Sequence, residues 1–484
     1  MAAPTDNSLQ ISASIADILN ENHQPQHLQA LKTFTTALRE KEFRDAVEEE
    51  VFSSLLKVLT RLCEELQAAN SDGEDLQSFT LQLQLTAECF RAQRNSCIQS
   101  TRNQTLLRDL GFIDVLSFIL LYLIKGLNAL FLDVDLFCFK SSSALRCGIQ
   151  FLGNLAVGNQ MCKDDIWQLS FPNLLLVEDE KTVNYTSMVL HTCLDEAKVE
   201  DLSNPQNIQL ALRVMELCRT QPDLDWTVII ATQHFLRSSA LVESMYSGMS
   251  HHERVTLLEL LFAQLREEDS EECGVPPSVA RFLASSFQQG CGAVLTLATG
   301  SVLQEALTVI SLLDVLCEMT SDNKQFMFLQ DHPDLLMTTV GLLEQVHAIG
   351  KASKNIFSAA QNFSSFGGDV DSSSHSPVIS FKAHLIRLIG NLCHGNTDNQ
   401  NKVRELEGIP LILDNCNIDS NNPFISQWAI FTIRNLLEHN TQNQQLVANL
   451  ERRGTADYSA LRELGFLVEE RDGSLLLKPV RKDS

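Results

Sequence analysis

The residues of this 484-residue chain with the widest chemical reach are its thirteen cysteines and twelve histidines. Zinc-binding thiolates come in pairs close in sequence, but the closest cysteines, Cys89 and Cys97, lie 97 − 89 = 8 residues apart. Cys317 and Cys393 stand in apolar stretches, where a reduced thiol acts as a small packing group. His252-Glu253 opens like a zinc-peptidase helix, yet the second histidine position holds Thr256, so the pair reads as a solvated helix start. His384 reads as a capping or packing residue.

Phosphate chemistry fares no better. No Gly-x-x-x-x-Gly-Lys sequence occurs, and Gly290-Cys291-Gly292 lacks the third glycine and the preceding strand of a dinucleotide fingerprint. A Gly-x-Ser-x-Gly elbow is also absent. The acids at Glu48 to Glu50 and Glu267 to Glu272 have no neighbours in sequence that would bury and perturb them, so they read as solvated charge runs. The expectation is a binding protein with no catalytic residue, cofactor or metal. Its alternative is an enzyme with catalytic residues dispersed through the central helical region.

One residue type recurs with order. Ile389-Gly390-Asn391-Leu392 and Ile433-Arg434-Asn435-Leu436 are 435 − 391 = 44 residues apart, as are Asn399-Gln400 and Asn443-Gln444. Upstream, Arg94-Asn95 precedes Asn103-Gln104 by the same eight residues that separate Asn391 from Asn399. Leu152-Gly153-Asn154-Leu155 is a further copy with a shortened gap to Asn159-Gln160, and Val315-Leu316-Cys317 with Asn323 is a degenerate one. A period of about 40 to 47 residues is that of two- or three-helix solenoid repeats.

An Asn amide carries both a donor and an acceptor, matching the N–H and C=O of an extended peptide. Asn95, Asn154, Asn391 and Asn435 could therefore line a partner-binding groove, with Arg387 and Arg434 relieving the acidic surface. The same amides could instead bond turn backbone inside the solenoid. Both readings stand at this stage. Nuclear-signal receptors carry Trp four residues before this Asn, whereas here Arg91, Gln150, Arg387 and Phe431 occupy those positions, which makes an import-type receptor the weaker alternative.

The elements that would position these residues are helices. Apolar residues recur at spacings of three and four, as in Leu385, Leu388, Ile389 and Leu392, and each unit reads as a long helix ending near Asn-Leu, a turn, a short helix after Asn-Gln, a Gly break and a third helix. Such units cover their apolar faces only by stacking. The stretch from Tyr185 to Gln304 is helical in pattern but resists phasing. The expected layout is helical repeats over residues 1–363, a Ser/Gly-rich loop over 364–380, a C-terminal repeat unit over 381–465, and a tail over 466–484 with a hairpin about Asp472-Gly473.

Charge narrows the partners. Lys plus Arg number 37 against 61 Asp plus Glu, a formal net charge of −24. Nucleic acid and anionic membrane are poor partners for such a surface. The opening residues lack the apolar core of a secretory signal, and the apolar run Val115 to Ile124 is too short to span a bilayer, so a cytoplasmic chain with reduced cysteines is expected.

The repeated Asn-Leu and Asn-Gln segments look like the armadillo consensus. The segment Phe381 to Gln444, with His384 to Cys393, Gly408 to Cys416, Trp428 and Arg434-Asn435-Leu436, resembles the ataxin-10 family's characteristic domain. Glu88 to Arg91, Cys147 to Leu155, Glu253 to Leu258 and Leu312 to Thr320 also resemble that family, whereas the first 40 residues and Leu121 to Ser143 depart from it. The resemblance implies an all-α armadillo/HEAT-like right-handed superhelical solenoid without enzymatic activity. It further implies roles in neuron survival, neurite outgrowth and cytokinesis, and perinuclear, centrosomal, ciliary-base or midbody locations. Family partners are a heterotrimeric G-protein β subunit and the O-linked N-acetylglucosamine transferase, and self-association is a family trait.

Overall fold

Helices and short 3₁₀ turns follow one another along the chain, and the one sheet among the described residues is a terminal hairpin. The computed structural model describes residues 24–72, 76–129, 135–171, 174, 177, 179–266, 274–299, 303–321, 324–352, 357, 378–416, 419–450, 466–471 and 474–479. The chain forms two units, Met1–Leu261 with Glu272–Pro276, and Phe262–Glu271 with Pro277–Ser484. This division falls at the acidic run and the Pro276-Pro277 break; the boundary expected at residue 364 and the loop Ser364 to Ser376 lie outside the described residues. Among the described residues no helix is long and apolar enough to cross a membrane.

Each unit is built on a ladder of inner helices packed one on the next. In the first unit these are α1 (Pro25–Ala37), α2 (Leu76–Ser96), α3 (Asp135–Ala156), α4 (Glu180–Cys193) and α5 (Asp225–Gln233). In the second they are α6 (Leu303–Met319), α7 (Phe381–Cys393) and α8 (Ile425–Leu437). A helix flanked on two sides must be apolar on two faces. In α7, accordingly, Ala383, Leu385, Ile386, Leu388, Ile389 and Leu392 are all fully buried, between α6 and α8.

After most inner helices the chain turns and starts a short outer helix, and the turn is chemically uniform. Ser100, Asn159, Asp195, Ser238, Asn396 and Asn440 each accept, through the side chain, a hydrogen bond from the N–H three residues on. Each such cap contributes about 1 kcal/mol by satisfying an orphan donor. In four copies the preceding residue, Gln99, Gly158, Gly395 or His439, holds a positive φ, the conformation that lets the chain leave one helix and enter the next without a loop.

These caps correct the sequence reading of the repeat. The short helix begins before the Asn-Gln pair rather than after it, so Asn103, Asn399 and Asn443 lie three residues past the cap, in its first turn. The shortened gap at Asn159-Gln160 also disappears. Asn159 is itself the cap, and 159 − 154 = 5 equals 100 − 95, 396 − 391 and 440 − 435. Copies fixed by their caps also place the first part of the stretch from Tyr185 to Gln304, with Asp195 and Ser238 in line.

Close stacking sets the residues allowed at the contact. A Cβ on Gly390 would stand 2.5 Å from Oγ1 of Thr432 and 3.0 Å from the Phe431 ring. The equivalent residue 44 positions on is Arg434, which is exposed on α8, and Ala383 of α7 likewise recurs as exposed Gln427, whereas Ile386 recurs as Ile430, apolar and exposed. At two of these three positions a polar residue thus replaces a buried one where no further inner helix is described. Farther on, β1 (Phe466–Arg471) pairs antiparallel with β2 (Ser474–Pro479), with Val468 opposite Leu477.

Two glycine substitutions separate stacking from helix propensity. Gly390→Ala should lower stability by about 1 to 3 kcal/mol, because the added methyl overpacks α7 against α8. Gly341→Ala, at a helical site with no atom within 4 Å of the new methyl, should be neutral or raise stability by up to about 1 kcal/mol. Urea unfolding midpoints of the two variants check both outcomes.

Candidate functional site

A helix leaves its last four carbonyls without intrahelical partners, and in this chain the next repeat supplies them. Asn95 Nδ2 donates to the carbonyl of Thr35 at 3.0 Å, Asn154 to Arg94 at 3.0 Å, Asn391 to Cys317 at 3.1 Å, and Asn435 to Gly390 at 3.0 Å. Each acceptor lies in the last turn of the preceding inner helix. Asn95, Asn391 and Asn435 are buried, and Asn154 is half-buried. Of the two readings left open by the sequence, this geometry is the internal one: the amide nitrogens that a groove ligand would need already bond backbone of the solenoid.

The second asparagine and its glutamine complete the connection. Asn103 Nδ2 donates to Arg44 and Ser96, Asn399 to Gln330 and Leu392, and Asn443 to Gln400 and Leu436, all carbonyls at 2.8–3.2 Å. The glutamines reach forward. Gln104 Nε2 donates to the carbonyls of Asn154 and Val157 at 2.8 Å, and Gln400 to that of Asn435 at 2.9 Å. Gln330 does the same for Asn391 and His394, at 3.2 and 2.8 Å. Sequence reading missed Gln330 because it followed Asn323, which lies outside the described residues; the signal was the forward reach of Gln104 and Gln400, which only stacking reveals.

Charges and imidazoles stand near the last inner helices of the first unit, α4 and α5, where the sequence resisted phasing. Lys198 stands three residues past its cap, where Asn103 and Asn399 stand in theirs, and its ammonium meets Asp164 at 2.7 Å and Asp195 at 2.5 Å. Farther on, His234 Nε2 lies 3.1 Å from His191 Nδ1, and the His191 ring rests 5.3 Å from that of Trp226. Burial, with the neighbouring His191 and Arg237, pushes His234 down to about 4, and burial with Lys163 lowers His191. Both rings are therefore neutral at physiological pH.

The remaining residues singled out from sequence divide between framework and surface. Arg387 bonds Glu318 at 3.2 Å and stacks over Trp428 with its guanidinium carbon 4.9 Å from the ring centre, so it bridges α6, α7 and α8. His384 packs as a bridge, Nδ1 being 2.5 Å from Asp314. Arg434 is exposed. Glu253 accepts from the N–H and hydroxyl of Ser250 at 2.8 Å, a helix-start capping pair. Burial raises the thiol pKa of Cys89, Cys97, Cys317 and Cys393, the opposite of what a thiolate nucleophile requires.

Two predictions follow the geometry. Asn391→Ala and Asn435→Ala should each lower folding stability by about 1 to 3 kcal/mol, by orphaning a carbonyl at the repeat junction; urea midpoints that do not move would contradict the internal role. For the histidine pair, the folded-state pKa of His234 lies below the ordinary 6.5, so unfolding takes up a proton at acid pH. Its contribution to stability is full above about pH 6.5, declines as pH falls toward 4, and levels off below. His234→Gln should flatten that decline in a series of unfolding curves.

Comparison with known proteins places these repeats. Residues 381–478 match the family model described as the Spinocerebellar ataxia type 10 protein domain. Ataxin-10 of Xenopus tropicalis is 41% identical over 497 aligned positions, covering 100% of this chain and 99% of that protein. Ataxin-10 of Homo sapiens is 39% identical, covering 94% and 95%, and the Dictyostelium discoideum ataxin-10 homolog is 45% identical over 103 residues, 21% of this chain and 17% of that one. Among solved structures, that of SYS-1 superposes with a TM-score of 0.35 at 11% identity, over 90% of this chain and 76% of SYS-1. An engineered protein superposes with a TM-score of 0.32 at 14% identity, over 90% and 96%. With relatives aligned over the full length of the repeats, the chain belongs to the ataxin-10 family.

Proposed function

We propose that this all-α solenoid is a non-enzymatic adaptor whose work is to hold protein partners. The observation that carries the reading is the use made of its reactive side chains. The repeated Asn and Gln amides bond neighbouring repeats, Arg387 and His384 bridge helices, and the buried thiols are held protonated. What remains for function is extended surface, the usual working part of a solenoid.

By membership of the family, the partners are a heterotrimeric G-protein β subunit and the O-linked N-acetylglucosamine transferase, and the setting is the cytoplasm, with perinuclear, centrosomal, ciliary-base and midbody sites. The same membership supports roles in neuron survival, neurite outgrowth and cytokinesis. The strongly acidic surface, −24 overall, supports protein over nucleic acid as the partner class.

The direct test immobilises the full chain and passes purified G-protein β subunit and purified transferase over it in turn. Saturable binding of at least one partner is expected, retained in the properly folded fraction of the Asn391→Ala, Asn435→Ala double variant. Failure of both purified partners to bind the folded chain would overturn the adaptor reading.

A further inference from the structure

The stack of the second unit runs to α8, and among the described residues no inner helix follows it. The 44-residue offset identifies the face that α8 turns away from α7. Ala383, Ile386, Gly390 and Cys393, all buried in α7, recur there as Gln427, Ile430, Arg434 and Leu437. Ile430 is 67% exposed, Gln427 and Arg434 are exposed, and Leu437 is half-buried. Phe424, at the entry to the helix, is 70% exposed and holds a φ of +64°, as its counterpart Ser380 holds +68°. A helix built like its neighbour thus offers water two large apolar side chains and one cation.

The chain itself carries a match for this face. One more repeat in phase would place an inner helix over residues 469–481, since 425 + 44 = 469 and 437 + 44 = 481. The chain forms a hairpin there instead, β1 pairing with β2 from Phe466 and Pro479 to Arg471 and Ser474. Strand alternation puts Phe466, Val468 and Glu470 on one face with Leu475, Leu477 and Pro479, while the alternate face carries Glu469, Arg471 and Lys478. The first face is apolar with a single acid. A two-stranded hairpin is marginal in water unless such a face packs on something.

Size, charge and reach agree. The α8 face from Gln427 to Leu437 runs about 15 Å, and strands of six residues run about 20 Å. Arg434 is the cation of the helical face and Glu470 the acid of the hairpin face. Residues 451–465, 465 − 450 = 15 in number, span up to about 50 Å when extended, ample to bring the hairpin to α8.

We infer that the hairpin docks through its Phe466, Val468, Leu475 and Leu477 face on the outward face of α8, with Glu470 against Arg434, and so closes the solenoid from its own chain. The place of a further inner helix is then filled, which is the task of a capping element. The contact is independent of which partners the solenoid holds.

The test reads hydrogen exchange of the hairpin amides in the full chain. Docked, those amides exchange slowly, because opening them costs the helix contact as well as the strand pairing. Ile430→Lys should speed their exchange by about tenfold or more, the worth of one buried aliphatic side chain, and Arg434→Glu by about threefold, the scale of a partly exposed ion pair. Glu470→Arg added to Arg434→Glu should bring the rate back toward wild type. Amides of α7 are the fold control; they should not change, and Ile430→Gln replaces Ile430→Lys if they do. Unchanged hairpin rates in the single variants, a charge swap that restores nothing, or faster α7 amides even in Ile430→Gln would each overturn the inference. So would hairpin protection that falls on dilution of the wild type, because it marks a second copy of the chain on α8.

Discussion

Every stacked helix poses the same electrostatic problem at its C-terminal end, where four carbonyls point along the axis with no amide ahead of them. In an isolated helix water answers it, but in a stack the inner helix ends are covered by the next repeat. The chain resolves this with primary amides, which donate two hydrogen bonds and carry no charge to desolvate. Asn391 reaches back to Cys317, Asn435 reaches back to Gly390, and Gln400 reaches forward to the carbonyl of Asn435. Repeat spacing, helix-end geometry and the identity of the contact residues all follow from that requirement.

The same constraint explains what could and could not be read from the sequence. Where the donors are amides, the 44-residue offset and the Asn-Leu and Asn-Gln pairs make the repeats visible without coordinates. Where Lys198, paired with Asp164, stands in the place of Asn103, or the His191 and His234 pair joins neighbouring helices, the sequence pattern dissolves although the turn survives. The caps Asp195 and Ser238 were equally present in the sequence, but a single Ser or Asp is too common to mark a repeat until a neighbour fixes its place. Asn159 misled for a related reason, since a capping asparagine and a bridging asparagine are the same residue type.

The candidate site was legible in composition and illegible in position. An Asn near the end of four of the eight inner helices pointed equally to a groove and to a junction, and only the identity of the hydrogen-bond acceptors decides between them.

Because the amide bridges run from one repeat to the next over most of the stack, they also lie in series along the path that tension would follow through it. A load applied to the two ends of the first unit would pass through Asn95 and Asn154 before reaching the segment joined by Lys198 and the histidine pair. Uncharged amides hold their grip whatever the salt or acidity, whereas an ammonium–carboxylate contact softens with ionic strength and a neutral imidazole contact softens with acid. Along the first unit, then, the α1 to α3 junctions rest on bonds indifferent to the solution, and those at α4 and α5 on bonds that salt and acid weaken.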